Sequence, residues 1–168
     1  MYTAHQLQAA DYLLKKLGGM PNFPFANENL KLVIEFNSIL WYGDFIPFEN
    51  RTIKQFFIDT DGSIDYQYFY SEGNNATPIL EKANSAYLES LPKGNWVMNP
   101  YKHIDNLELL FHAVMNIIDN IDIQPDDSPI YPYLLNAKSL DGKLELSFLN
   151  IADEKIKVVS LIQVPKEN

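Results

Sequence analysis

Cysteine is absent from the 168 residues. Disulfides, thiolate nucleophiles and cysteine-ligated zinc are therefore excluded. Arginine is nearly absent: Arg51 stands alone, and lysine supplies the rest of the positive charge. Arginine is the preferred reader of phosphates and base edges. A chain with one arginine, no basic run and a net charge of −9 is poorly suited to nucleic acid or to anionic membranes. No apolar run approaches the roughly 18 residues needed to span a bilayer. The first twenty residues lack a basic stretch followed by an apolar core, so no secretory signal is expected. A cytoplasmic protein with basic or neutral partners is the expectation.

Catalytic motifs are missing as well. There is no G-x-S-x-G, no P-loop and no G-x-G-x-x-G, and the seven glycines fall at helix ends, turns and loops. Neither a cofactor nor a metal is expected. An enzyme reading, a small hydrolase, ranks last among the alternatives.

What is present is core-forming material. Hydrophobic residues make up 46% and charged residues only 21%, which argues for one globular domain over residues 1–168 rather than disorder. Thr3 followed by Gln6 is a capping-box signature, with Tyr2 and Leu7 placed for a hydrophobic staple. Leu7, Ala10, Leu13, Leu14 and Leu17 then recur at helical spacing before Gly18-Gly19.

Residues 28–42 carry two patterns. Glu28, Lys31, Glu35 and Ser38 form a polar stripe at helical spacing, while Leu30, Leu32, Ile34 and Phe36 alternate as in a strand. A breaker-free length of this size favours a mostly buried helix. Residues 52–70 read as a β-hairpin about Asp61-Gly62. Thr77 and Pro78 open a helix reaching about Ser90.

Residues 104–120 form another helix, with Ile104, Leu107, Phe111, Val114 and Ile118 as its expected core face. The remainder reads as a three-stranded meander: 133–139, a turn at Asp141-Gly142, 143–149, then 155–164. Leu144, Leu146 and Phe148 are expected to face the core and Lys143, Glu145 and Ser147 the solvent. The predicted fold is α+β: an antiparallel sheet, built from the hairpin and the C-terminal meander, packed with about four helices.

Charge is unevenly spread. From His103 to Ala137 there is no lysine or arginine, yet the stretch holds six acids: Asp105, Glu108, Asp119, Asp122, Asp126 and Asp127. Several lie where a helix ends, and a helix C-terminus carries partial negative charge that disfavours acids. Asp105, Glu108, His112, Asn116 and Asp119 share one helical face by their spacing of three and four. A Glu and a His four apart can share an ion, but a second histidine and the H-E-x-x-H pattern are missing. His112 reads as a neutral residue on a solvated face or as part of a recognition face. His5 and His103 read as surface and loop residues.

Residues 59–65, Asp-Thr-Asp-Gly-Ser-Ile-Asp, resemble a calcium loop only at first. The EF-hand template places Gly sixth, an apolar residue eighth and Glu twelfth. Ile64, Tyr66 and Tyr70 stand there, and the hairpin turn accounts for Asp61-Gly62. On the second hairpin strand Tyr66, Tyr68 and Tyr70 share one face, either as core with hydroxyls at the rim or as a contact surface for a protein.

The expectation is thus a non-enzymatic acidic protein that neutralises a basic protein partner, a toxin or nuclease-like effector. Its partner-binding residues would be Asp105, Glu108, His112, Asp119, Asp122, Asp126 and Asp127, with Tyr66, Tyr68 and Tyr70. In overall profile (small, acidic, without a catalytic motif) the chain resembles the immunity proteins that bacteria pair with toxins. A nucleic-acid mimic of phage type would use the same acids in a long double row. A structural assembly subunit would use them only for solubility.

Overall fold

Thr3 and Gln6 close a reciprocal capping box. The Gln6 backbone N–H donates to Thr3 Oγ1 at 3.2 Å, and the Thr3 N–H donates to Gln6 Oε1 at 3.0 Å. Two N–H groups that a helix start leaves unpaired are satisfied in this way. From this cap runs α1, Ala4–Gly18. Leu7, Ala10, Leu13 and Leu14 are buried as their spacing predicts. In the computed structural model, the residues described are 1–18, 25, 28–46, 107–119, 132–152 and 156–165.

Residues 28–42 are not a helix. They contribute β1, Leu30–Phe36, and most of β2, Ile39–Phe45, an antiparallel hairpin. The loop between them is Asn37-Ser38, with φ of 51° and 63°. Two consecutive positive φ values define the type I′ turn, whose twist matches that of the flanking strands. The alternation of Leu30, Leu32, Ile34 and Phe36 therefore outweighs the polar stripe. Asparagine enters the left-handed region more readily than most residues, which lets the turn form without glycine.

The second helix is α2, Leu107–Asp119. Val114 and Ile118 are buried as expected, but Leu107 and Phe111 are only partly so. The apolar face centres instead on Leu110, Ala113, Val114 and Ile117. Among the described residues there are two helices, not four. The expected helix at 77–90 and the hairpin at 52–70 lie outside them.

The C-terminal segment supplies β3, Tyr133–Ser139, β4, Glu145–Asn150, and β5, Lys157–Gln163. The turn between β3 and β4 falls where expected, with Gly142 at φ 76°. Asp141 shapes it by accepting from the Ser139 hydroxyl at 2.7 Å and from the Lys143 N–H at 3.0 Å. These strands do not form a meander. The sheet order is β4-β3-β2-β1-β5, with every neighbour antiparallel, so β5 pairs with β1 at the far edge. β1 becomes an interior strand, and Leu161 of β5 joins Leu32 and Ile34 in the core.

That route constrains the sheet's shape. Register places Asn150 level with Val164, through Tyr133↔Asn150 on one side and the Val164 N–H bond to the Asn29 carbonyl on the other. On a flat sheet, Lys157 would lie four strand spacings across and about six residues up from Asn150, about 28 Å away. Seven Cα steps reach only about 24 Å. The sheet must therefore curl so that these corners approach. Register shifts at Val33/Ile34 and at Tyr42/Asp44 provide bends, since a bulge raises local twist. Ile151 and Ile156, on either side of the crossing, are both buried in the core. Ile156 also exchanges two backbone bonds with Tyr2, at 2.8 and 2.7 Å, fastening the chain start beside β5.

The core lies between the two helices and one face of this sheet, where Leu7, Leu13, Leu110, Ile117, Trp41, Phe45 and Leu134 meet. The fold is α+β. One expectation about burial fails: Leu144, Leu146 and Phe148 on β4 are exposed at 45%, 41% and 60%. Leu149, of opposite parity, packs against the core instead. Leu146 stands opposite the buried Ala137 and Leu149 opposite the buried Leu134, so one alternation does not hold along the whole strand.

Candidate protein-binding face

α2 carries its acids on the side away from the core. At about 100° per residue, Glu108, His112, Asn116 and Asp119 fall within about 80° of one another. Leu110, Val114 and Ile117 lie on the opposite side. Glu108 and Asp119 are exposed, whereas His112 and Asn116 are half-buried between them. His112 therefore does not sit on a fully solvated face. Its ring meets Phe111 edge-on at 5.3 Å between centroids.

The two carboxylates occupy different electrostatic positions. Glu108 stands in the first turn, where the helix dipole favours an anion. Asp119 stands in the last turn, where no basic residue offsets it. It instead accepts a hydrogen bond from the Tyr2 hydroxyl. Desolvation, this hydrogen bond and the adjacent carboxylate charge together push the Tyr2 hydroxyl up to about 12. The bond satisfies Asp119 without cancelling its charge. The helix contains no lysine or arginine, and its two exposed side chains among the described residues, Glu108 and Asp119, are both acidic.

Asp105, Asp122, Asp126 and Asp127 lie outside the described residues, as do Tyr66, Tyr68 and Tyr70, His103 and the 59–65 loop. His5 is half-buried in the first turn of α1 rather than on the open surface. Among the described residues, no three histidine or acidic side chains converge on a point that could hold a metal ion. No described helix is long and apolar enough to cross a membrane.

A second charged group was not anticipated. The β1–β2 register, carried three residues beyond Ile34↔Trp41, sets Lys31 opposite Asp44, and their side chains form an ion pair. The Asn136 amide donates to the same carboxylate at 3.4 Å. Burial raises Asp44, but the Lys31 hydrogen bond and charge outweigh it, so its carboxyl sits below the usual range. Asp11 of α1 is buried and bonded to Lys15 at 2.7 Å. Burial raises its carboxyl, with Lys15 and then Lys31 opposing. Asp11 and Lys15 stand four apart on α1, a spacing the sequence shows, whereas only the hairpin register reveals Lys31 with Asp44. The pairs are internally compensated, unlike the acids of α2, and hold no nucleophile next to a base.

No protein-family model, curated protein or solved structure matches the chain.

Proposed function

We propose that this chain is a non-enzymatic acidic binding protein that neutralises a basic protein partner, in the manner of the immunity proteins that restrain toxins. One observation carries the reading: Glu108 and Asp119 are exposed on one face of a helix that has no positive side chain. Uncompensated surface charge of one sign is a cost to the isolated protein and an aid to meeting an oppositely charged partner. It speeds encounter and fixes register. Asp105 precedes this face and Asp122, Asp126 and Asp127 follow it within the same lysine-free stretch. Tyr66, Tyr68 and Tyr70 provide contact area in this reading, and the cytoplasm is where a guarded effector is made.

The test is co-expression with a toxic basic protein, with any such protein encoded immediately upstream tried first. Cells carrying that effector are expected to survive only when this chain is present. Association is expected to slow about tenfold or more as salt rises from low to physiological levels. The pair Glu108→Lys with Asp126→Lys leaves the Tyr2–Asp119 bond untouched and is expected to abolish protection while the melting temperature holds. Binding that ignores both salt and charge reversal overturns the proposal.

A further inference from the structure

The acidic face of α2 is held by a residue outside the helix. Tyr2 stands ahead of the capping box, and its backbone is fixed from both sides. Its N–H donates to the Ile156 carbonyl at 2.8 Å, and its carbonyl accepts from the Ile156 N–H at 2.7 Å. The next residue, Thr3, is tied to Gln6 across the cap. The Tyr2 ring packs against the core, and Ile156 is itself buried. Tyr2 therefore presents its hydroxyl from a rigid base. That hydroxyl donates to the Asp119 carboxylate. Burial beside this charge pushes the phenol up to about 12, so the donor keeps its proton at neutral pH.

Asp119 is exposed in the last turn of α2, with no basic residue there to hold it. An exposed aspartate left to itself exchanges among staggered rotamers. A bond from a fixed donor selects one of them. An ionised carboxylate has about four lone-pair sites, and the Tyr2 hydroxyl takes one. The remainder are left for a ligand.

We propose, resting on the acidic-face reading above, that Tyr2 is a positioning residue: it holds the Asp119 carboxylate in one orientation for a cation of the basic partner. A side chain immobilised on contact costs free energy at that moment, and a carboxylate already fixed is spared most of it. The phenol carries no charge, so the long-range attraction that sets encounter is the same with or without it. Tyr2 therefore acts on dissociation rather than on association.

Three-bond couplings about the Asp119 Cα–Cβ bond, read by NMR on the full chain without a partner, give the first test. The wild type is expected to show one rotamer, and Tyr2→Phe an average over several. Exchange of the Ile156 amide is expected to stay slow in both, because the backbone bridge does not use the hydroxyl. Averaging already present in the wild type overturns the proposal. So does a single rotamer that persists in Tyr2→Phe. Binding kinetics with the basic protein retained from the co-expression test give the second. Tyr2→Phe is expected to dissociate about threefold faster at an unchanged association rate. In an Asp119→Ala background the same substitution is expected to change nothing, since the bond is already gone. Equal dissociation rates for the wild type and Tyr2→Phe overturn the positioning role. A loss that persists in Asp119→Ala overturns it too, because Tyr2 would then act through the fold alone. Finding no basic partner at all would sink the reading of the face, while the rotamer measurement would still decide whether Tyr2 positions Asp119.

Discussion

The Tyr2 hydroxyl donates to the Asp119 carboxylate, so the residue ahead of the first helix's cap holds the last turn of the second. Tyr2 is also bridged to Ile156 through its backbone. One residue thereby connects α1, α2 and the approach to β5. Tyr2→Phe keeps the ring and the backbone bridge and removes only the hydroxyl. It is expected to lower stability by about 1 kcal/mol, read from the urea midpoint. Asp119→Asn is expected to cost less when combined with Tyr2→Phe than alone, because the two share one bond. The pH sign follows from the raised Tyr2 value. The neutral phenol is favoured in the folded chain, so its contribution is complete below the ordinary value of 10 and is lost as pH rises towards about 12. Phenolate absorbance is expected to show one late-titrating tyrosine fewer in Tyr2→Phe than in the wild type. An identical alkaline titration in both would refute the bond.

Asp11 and Asp44 are expected to give opposite acid responses. Asp44 lies below its ordinary value of 3.8, so its stabilising effect is present above that value and lost as pH falls through the folded one. Asp11 lies above 3.8, so its contribution is greatest below that value and is lost as pH rises through the folded one. At neutral pH a charged, buried Asp11 therefore costs stability. Asp11→Asn is expected to leave neutral-pH stability within about 1 kcal/mol or to raise it, since a buried ion pair seldom outperforms a neutral replacement. Lys15→Met is expected to lower it by about 1–2 kcal/mol by leaving the carboxylate without its partner. Asp44→Asn is expected to flatten the acid limb of the stability profile. Parallel acid profiles for Asp11→Asn and Asp44→Asn would contradict these assignments.

Legibility followed locality. The Thr3–Gln6 capping box and the Asp141-Gly142 turn each involve residues within a few positions, and both stand where the sequence places them. α2 was legible from its period, although the face turned towards Leu110 and Ile117. The β1–β2 hairpin was obscured because Glu28, Lys31, Glu35 and Ser38 happen to fall at helical spacing. Lys31 is polar for another reason: it pairs across the hairpin with Asp44. The place of β5 beside β1 is a long-range pairing that strand periodicity cannot report. Exposure of Phe148 escaped notice because alternation tells which residues share a side, not whether anything covers it. At the acidic face, Glu108 and Asp119 were legible from composition and spacing. The tyrosine that holds Asp119 was not, because it is distant in the chain.

Gly43 marks a close approach of β2 to β3. A Cβ built there would lie 2.6 Å from the Leu135 carbonyl oxygen and 3.0 Å from Leu134 Cγ. A backbone oxygen cannot swing aside as a flexible side chain does, so the strands themselves would have to separate. The site adjoins the register shift between β2 and β3 and Asn136, whose φ is 50°. Leu134 on one side of that shift and Ala137 on the other are both fully buried. Separation of β2 from β3 would therefore open the core as well as the ladder. Gly43→Ala is expected to cost about 2 kcal/mol or more, within the range for overpacking a filled site. Gly18 provides the control: it closes α1, has nothing within 4 Å of a built Cβ and has no positive φ. Gly18→Ala is expected to be neutral or to stabilise by up to about 1 kcal/mol, because alanine restricts the unfolded chain. Urea unfolding of the two variants side by side checks the contrast. Equal stability would mean that β2 and β3 do not approach as closely as Gly43 permits.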